Sequence, residues 1–157
     1  MKLLGKCVLL LLLPAALPAA GPYKTAEVYR FQVEDTKVLR EFRVALYENL
    51  VEELNKKGRF AVFREGQLKE PMPGTVAVRC SVKEFEKGSE RLRQVTTVAG
   101  ATSIKIHVRL EDRATGAVIA EKDLTGKVRF FGGNLRATSS LGSQVAGFLE
   151  KTVGGKQ

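Results

Sequence analysis

Apolar positions change period several times along this 157-residue chain, and each change marks an element. Ala26 to Val33 alternates and is rich in β-formers (Val28, Tyr29, Phe31, Val33), which predicts a first strand. Glu34-Asp35-Thr36 then offers helix-capping side chains and the early negative charge that suits a helix N-terminus. From there to Lys57 the period lengthens: Leu39, Phe42, Leu46, Leu50 and Leu54 recur at three- and four-residue steps, widened by Val38, Ala45 and Val51. Lys56-Lys57-Gly58 closes this helix with positive charge and a glycine stop.

Arg59 to Arg64, carrying Phe60, Val62 and Phe63, reads as a short second strand, and Glu65 to Gly74, with Pro71 and Pro73, as a loop. Thr75 to Phe85 is a long third strand. Val76, Val78, Cys80 and Val82 face one way along it, and Ala77, Arg79, Ser81 and Lys83 the other. Glu86 to Gly100 is polar and glycine-bounded, an excursion between strands. Ala101 to Asp112 alternates most cleanly: Ile104, Ile106, Val108 and Leu110 point inward, and Lys105, His107, Arg109 and Glu111 to water. Arg113-Ala114-Thr115-Gly116 is a tight hairpin turn, and Ala117 to Phe131 the returning strand, with Gly126 as a bulge position. Gly132-Gly133-Asn134 breaks that strand. Leu135 to Val153 closes the chain as a helix with Leu141, Val145, Phe148, Leu149 and Val153 on its buried stripe. The order predicts one α+β domain in two layers. Its sheet is mainly antiparallel, of about five strands, with both helices on one face.

The start of the chain follows a different logic. Lys2 and Lys6, an apolar run from Val8 to Leu13, and a small-residue exit from Pro14 to Gly21 have the order of a secretory signal peptide. The run is far short of the ~20 residues of a spanning helix, so no transmembrane segment is expected. Cleavage falls after Ala19 or Ala20, giving a leader at 1–20 and a single domain at 21–157. The expected product is periplasmic or secreted, and soluble once the leader is removed. Cys7 precedes the run and cannot serve as a lipid-anchor cysteine, so the mature chain is expected to be free of lipid.

About 136 residues remain, enough for one compact core. The chain's formal charge of +9 falls by two when Lys2 and Lys6 leave, so the mature domain stays basic. Such a charge attracts anionic partners without specifying one. Cys80 is the one mature cysteine, which rules out a disulfide within the chain. Its inward parity makes it a buried structural thiol and not a nucleophile. His107, the one histidine, alternates onto the polar sheet face between Lys105 and Arg109, where positive neighbours oppose its protonation. One histidine and one cysteine with opposite facings do not make a zinc site, and the Glu111-Asp112 and Glu84/Glu86 pairs lack calcium-loop spacing. Gly132-Gly133 lacks both the Gly-Lys-Ser/Thr ending of a phosphate loop and the spacing of a dinucleotide site. No catalytic, metal or cofactor residues are therefore assigned.

One constellation stands out. Arg79, Lys83, Lys105, His107 and Arg109, with Lys127 and Arg129 on the returning strand, would share one sheet face about 5 Å from their cross-strand neighbours. These are the candidate residues for an anionic partner. Aromatic residues do not interleave with them, so no specific nucleic acid is implied.

The stretches Val78-Arg79-Cys80-Ser81-Val82-Lys83-Glu84-Phe85-Glu86-Lys87-Gly88, Leu110-Glu111-Asp112-Arg113-Ala114-Thr115-Gly116 and Phe131-Gly132-Gly133 carry a family likeness. In these the chain resembles the bacterial domain-of-unknown-function family 4410. The Asp-to-Gly turn between long strands is also similar in outline to small periplasmic α/β domains of curli-secretion and TolB-type envelope proteins. The resemblance implies an envelope fold and no particular reaction. The expected function is thus a non-enzymatic binding or assembly module of the cell envelope, whose partner is an envelope protein or an acidic surface. A hydrolase or transferase with an unrecognised site, and a structural subunit of an envelope oligomer, are the alternatives. The oligomeric state is left open.

Overall fold

The computed structural model describes residues 23–33, 38, 40–70, 72–86, 102–128 and 138–154. The elements run β1 (Thr25–Val28), β2 (Gln32–Val33), α1 (Arg40–Lys57), β3 (Ala61–Arg64), β4 (Thr75–Glu86), β5 (Thr102–Asp112), β6 (Val118–Val128) and α2 (Ser139–Val153). The strands join in one sheet of order β3-β1-β4-β5-β6, with β2 also pairing β4. The leader region, the 87–101 excursion and the 129–137 segment with Gly132-Gly133 lie outside the described residues.

Helices pack on one side of this α+β sheet, as the apolar periods imply. The alternation of β4 and β5 is realised in full: Val76, Val78, Cys80 and Val82, with Ile104, Ile106, Val108 and Leu110, are buried in a single core. Phe42, Leu46, Leu50 and Leu54 of α1, and Leu141, Val145 and Leu149 of α2, fill that core from above. Gly58 stops α1 as expected, at φ +63° and with its N–H on the carbonyls of Leu54 and Asn55.

Two features depart from the sequence reading. The sheet is mixed: β4-β5-β6 is the expected antiparallel meander, but β1 runs parallel to both β3 and β4, and β2 parallel to β4. The cause is the crossover through α1, which returns the chain to the starting end of β1 and so delivers β3 parallel beside it. The first strand is also divided. Val28 pairs with Val78 but Gln32 with Ser81, so the β1–β2 segment spends one more residue than β4 over the same span. Arg30 and Phe31 leave the ladder there, and Val33 regains helix-side parity opposite Val82.

Gly126 is not a bulge. It sits in register opposite Ile104, and a Cβ on it would lie 2.6 Å from Leu141 Cγ. Its hydrogen side chain is what lets α2 close onto β6. The irregularities fall instead at Val82/Glu84 and Leu110/Glu111. Gly142 plays a similar part between the helices, where a Cβ would meet the Asn49 backbone at 3.1 Å. Along the same seam Asn49 donates to Thr138 Oγ1, Ser143 to Glu53 (2.9 Å), and Lys57 to Glu150 (2.7 Å).

Candidate functional site

No described element covers the sheet face opposite the helices, and the candidate cations converge there. β4 contributes Arg79, and β5 contributes Lys105, His107 and Arg109. Lys83 is the exposed extra residue of the Val82/Glu84 bulge. Lys127 holds the strand position opposite Ser103; its side chain, and the whole of Arg129, lie outside the described residues.

What sequence reasoning missed is that carboxylates occupy the same face. Register puts Arg79 directly opposite Arg109, a repulsive pairing by itself. Glu111 lies between them, accepting from Arg79 Nε at 2.8 Å and standing 2.8 Å from Arg109 Nε off hydrogen-bonding alignment. Arg109 also lies 3.3 Å from Glu121. His107 Nδ1 is 2.7 Å from Asp123, with Nε2 3.8 Å from Glu121. Lys105 reaches Glu84 at 3.4 Å and Asp123 at 3.7 Å. Contact with His107 foremost, and then Lys105, holds the Asp123 carboxyl below its ordinary value despite some desolvation. Glu84, then Asp123, raises the Lys105 ammonium. Of the candidate cations, Arg79, Lys105, His107 and Arg109 thus sit in one network with Glu84, Glu111, Glu121 and Asp123. The signal was available: Glu121 and Asp123 share the strand parity by which the sequence puts Lys127 on this face.

Towards β1 the network passes into the molecule. The Arg79 guanidinium stacks 3.8 Å above the Tyr29 ring. Tyr29 donates to Glu27 at 2.9 Å, and Arg113 Nε donates to the same carboxylate at 2.5 Å. Glu27 is only 1% exposed, a fully buried charge on the uncovered face. Nearby, Asp112 caps the hairpin turn by accepting from the N–H groups of Ala114 (3.0 Å) and Thr115 (2.8 Å), and takes the Tyr23 hydroxyl at 2.9 Å. Burial opposes its ionisation, but these donors prevail and the carboxyl is held low. Burial first, and then Asp112, pushes the Tyr23 hydroxyl up to about 12. Cys80 is buried as expected, and desolvation pushes its thiol up to about 12. Among the described residues, no group of three or more His, Cys, Asp or Glu side chains converges to hold a metal.

A second region was not anticipated at all. A cleft of about 640 Å³ opens where β1 and β3 end and α1 begins. Arg30 and Phe31 line it from the break after β1; Arg40, Arg43, Val44, Tyr47 and Glu48 from α1; Arg64, Glu65 and Gln67 from the end of β3. This is the carboxyl edge of the parallel strands, at the point where the chain places β3 on one side of β1 and β4 on the other. Open α/β sheets present ligand crevices at such switch points. Arg64 is committed, with a two-pronged pair to Glu48 (2.6 and 2.7 Å) that lowers the Glu48 carboxyl, and it lies over the Tyr47 ring at 5.4 Å. The guanidiniums of Arg30, Arg40 and Arg43 pair with no described carboxylate, although the Arg30 backbone N–H donates to Glu65 at 3.2 Å, and Arg43 Nε is buried without a hydrogen-bond partner. No motif announces this group, because its arginines come from three separate segments.

Among the described residues no helix is long and apolar enough to cross a membrane. The architecture recurs in solved proteins. A DUF330-family protein, XCC0632 of Xanthomonas campestris, matches with TM-score 0.58 at 14% identity, covering 87% of this chain and 90% of its own. A PelC dodecamer of Paraburkholderia phytofirmans matches with TM-score 0.58 at 12% identity, over 88% of this chain and 93% of its own. The lipoprotein GNA1162 of Neisseria meningitidis matches with TM-score 0.50 at 14% identity, over 82% and 99%. At these identities the likeness is one of fold. No curated protein matches the sequence at a significant level. A family model does match, over residues 28–132, from the end of β1 through the whole meander. The chain therefore belongs to the family described as Domain of unknown function (DUF4410).

Proposed function

We propose that this protein is an exported, non-enzymatic binding or assembly module of the bacterial cell envelope that meets a protein partner through the sheet face opposite its helices. The observation that carries this reading is the charge pattern of that face. Arg79, Lys105 and Arg109 alternate with Glu84, Glu111, Glu121 and Asp123 at ion-pair distances. Among the described residues of that face, a polyanion would meet about as many repelling carboxylates as attracting cations. A protein surface with the complementary pattern can replace each internal pair by one across the interface, which favours one partner and register over others. The signal-peptide order of residues 1–20 supports export. The fold shared with a lipoprotein and with PelC, whose solved form is a dodecamer, supports an envelope address and a role in assembly. The dodecamer also favours a second reading, in which the partner is another copy of this chain.

Photo-crosslinking in cells tests both. A photoreactive residue replaces Ser81 or Thr125 on the open face, or Gln144 on the exposed side of α2. Protein adducts are expected from the first two positions and not from Gln144, on a chain whose intact mass lacks the leader. An adduct of twice the mature mass identifies a second copy. Adducts from Gln144 as strong as those from Thr125, or none from either open-face position, would contradict the proposal.

A further inference from the structure

We infer that the cleft between β1, β3 and the start of α1 binds the phosphomonoester group of an organic ligand. The site is separate from the sheet face and goes beyond the reading given for it. Among the described residues that line the cleft are four arginines, Arg30, Arg40, Arg43 and Arg64, and two carboxylates, Glu48 and Glu65. The surplus among these described residues is two positive charges, and a phosphomonoester carries about −1.5 to −2 at neutral pH. Like charges lining one cleft repel, and among the described residues the guanidiniums of Arg30, Arg40 and Arg43 make no ion pair, Glu65 accepting instead from the Arg30 backbone N–H at 3.2 Å. The buried, unpartnered Arg43 Nε is a donor that lacks an acceptor, an arrangement that is uncommon without a ligand or ordered water to complete it. Planar guanidinium forks match phosphate oxygens in pairs, which lysines do not.

Volume and lining extend the argument from the anion to what it is attached to. About 640 Å³ is far more than a phosphate fills, and lies within the ~300–1,000 Å³ common for small-molecule sites. Phe31 and Tyr47 are among the lining residues, and Val44 presents an apolar side chain that is 52% exposed. Such a lining suits an apolar or ring-bearing group joined to the phosphate. A soluble phosphate ester and a phosphatidic headgroup share this chemistry.

Calorimetric titration of the mature chain separates the cases. The probes are phenyl phosphate, inorganic phosphate, phenol, and phosphatidylcholine vesicles with and without phosphatidic acid. Phenyl phosphate is expected to bind more tightly than inorganic phosphate, and phenol not to bind. Arg43→Gln and Arg30→Gln are each expected to weaken binding about tenfold or more. Lys151→Gln, which removes the same charge far from the cleft, should leave it unchanged. If Arg43→Gln fails to fold, Arg30→Gln decides. Binding to phosphatidic acid vesicles with the same arginine dependence identifies a lipid headgroup; binding to phenyl phosphate alone identifies a soluble ester. The inference is overturned if neither phenyl phosphate nor phosphatidic acid vesicles bind, if phenyl phosphate binds no more tightly than inorganic phosphate, or if Lys151→Gln weakens binding as much as the cleft variants.

Discussion

The open sheet face and the cleft beside α1 are both rich in cations, yet they are built on opposite rules. On the sheet face Arg79, Lys105 and Arg109 each have a carboxylate within ion-pair distance, and the network ends on the buried Glu27. In the cleft Arg30, Arg40 and Arg43 have none among the described residues. Counting positive residues does not distinguish the two; only register and pairing do. Paired charges hold strands together and order a surface. Unpaired ones tolerated at the rim of a cavity are kept at some expense of stability, which is characteristic of binding sites. Net charge therefore says little about where an anion would go, and the sheet face, for all its cations, is the less attractive of the two.

The largest expected effect lies at the buried end of the paired network. Arg113→Ala removes the guanidinium that donates to Glu27 and leaves a carboxylate that is 1% exposed with, among the described residues, only Tyr29 and the Gly66 N–H for support. Breaking a buried pair from one side typically costs 3–5 kcal/mol. Arg113 is itself partly exposed, so a loss of about 3 kcal/mol is expected by urea denaturation. A loss below about 1 kcal/mol would mean that Glu27 does not depend on the pair, and would weaken the contrast between the regions.

Asp112 gives a smaller, pH-dependent effect. Its carboxyl is held below the ordinary value of 3.8, so its stabilising contribution is complete above that pH. The contribution is lost as pH falls through the lower native value, because the unfolded state then binds the proton first. Asp112→Asn is expected to cost about 1–2 kcal/mol at neutral pH, as for loss of a capping carboxylate. Wild type and variant should converge at acid pH, below 3.8. A constant gap down to the lowest pH at which the chain stays folded would place the cost in geometry instead of charge.

How much of this was legible from sequence follows from how local each feature is. The period of β5, the Lys56-Lys57-Gly58 stop and the 113–116 turn are set by neighbouring residues, and all appear where the pattern puts them. The parallel pairing of β1 was not legible, because it depends on α1 carrying the chain back across the sheet. Neither was the extra residue between Val28 and Gln32, since Tyr29 and Phe31 continue the alternation smoothly. Gly126 looked like a bulge because glycine in a strand often marks one. Its reason lies instead in Leu141, fifteen residues on. The carboxylates of the sheet face could have been found by applying the parity of Lys127 to Glu121 and Asp123. The cleft could not, because only the fold brings Arg30, Arg43 and Arg64 together.

The contrast between paired and unpaired cations is tested most directly by comparing Arg79→Gln with Arg43→Gln in urea denaturation at low salt. Arg79 gives up its bond to Glu111 and its stacking on Tyr29, each contributing up to about 1 kcal/mol at a partly exposed site. Arg43 has no described partner to give up, and its removal relieves repulsion from Arg30 and Arg40. Arg79→Gln should therefore lower the midpoint, while Arg43→Gln leaves it unchanged or raises it. A loss in Arg43→Gln equal to that in Arg79→Gln would contradict the account.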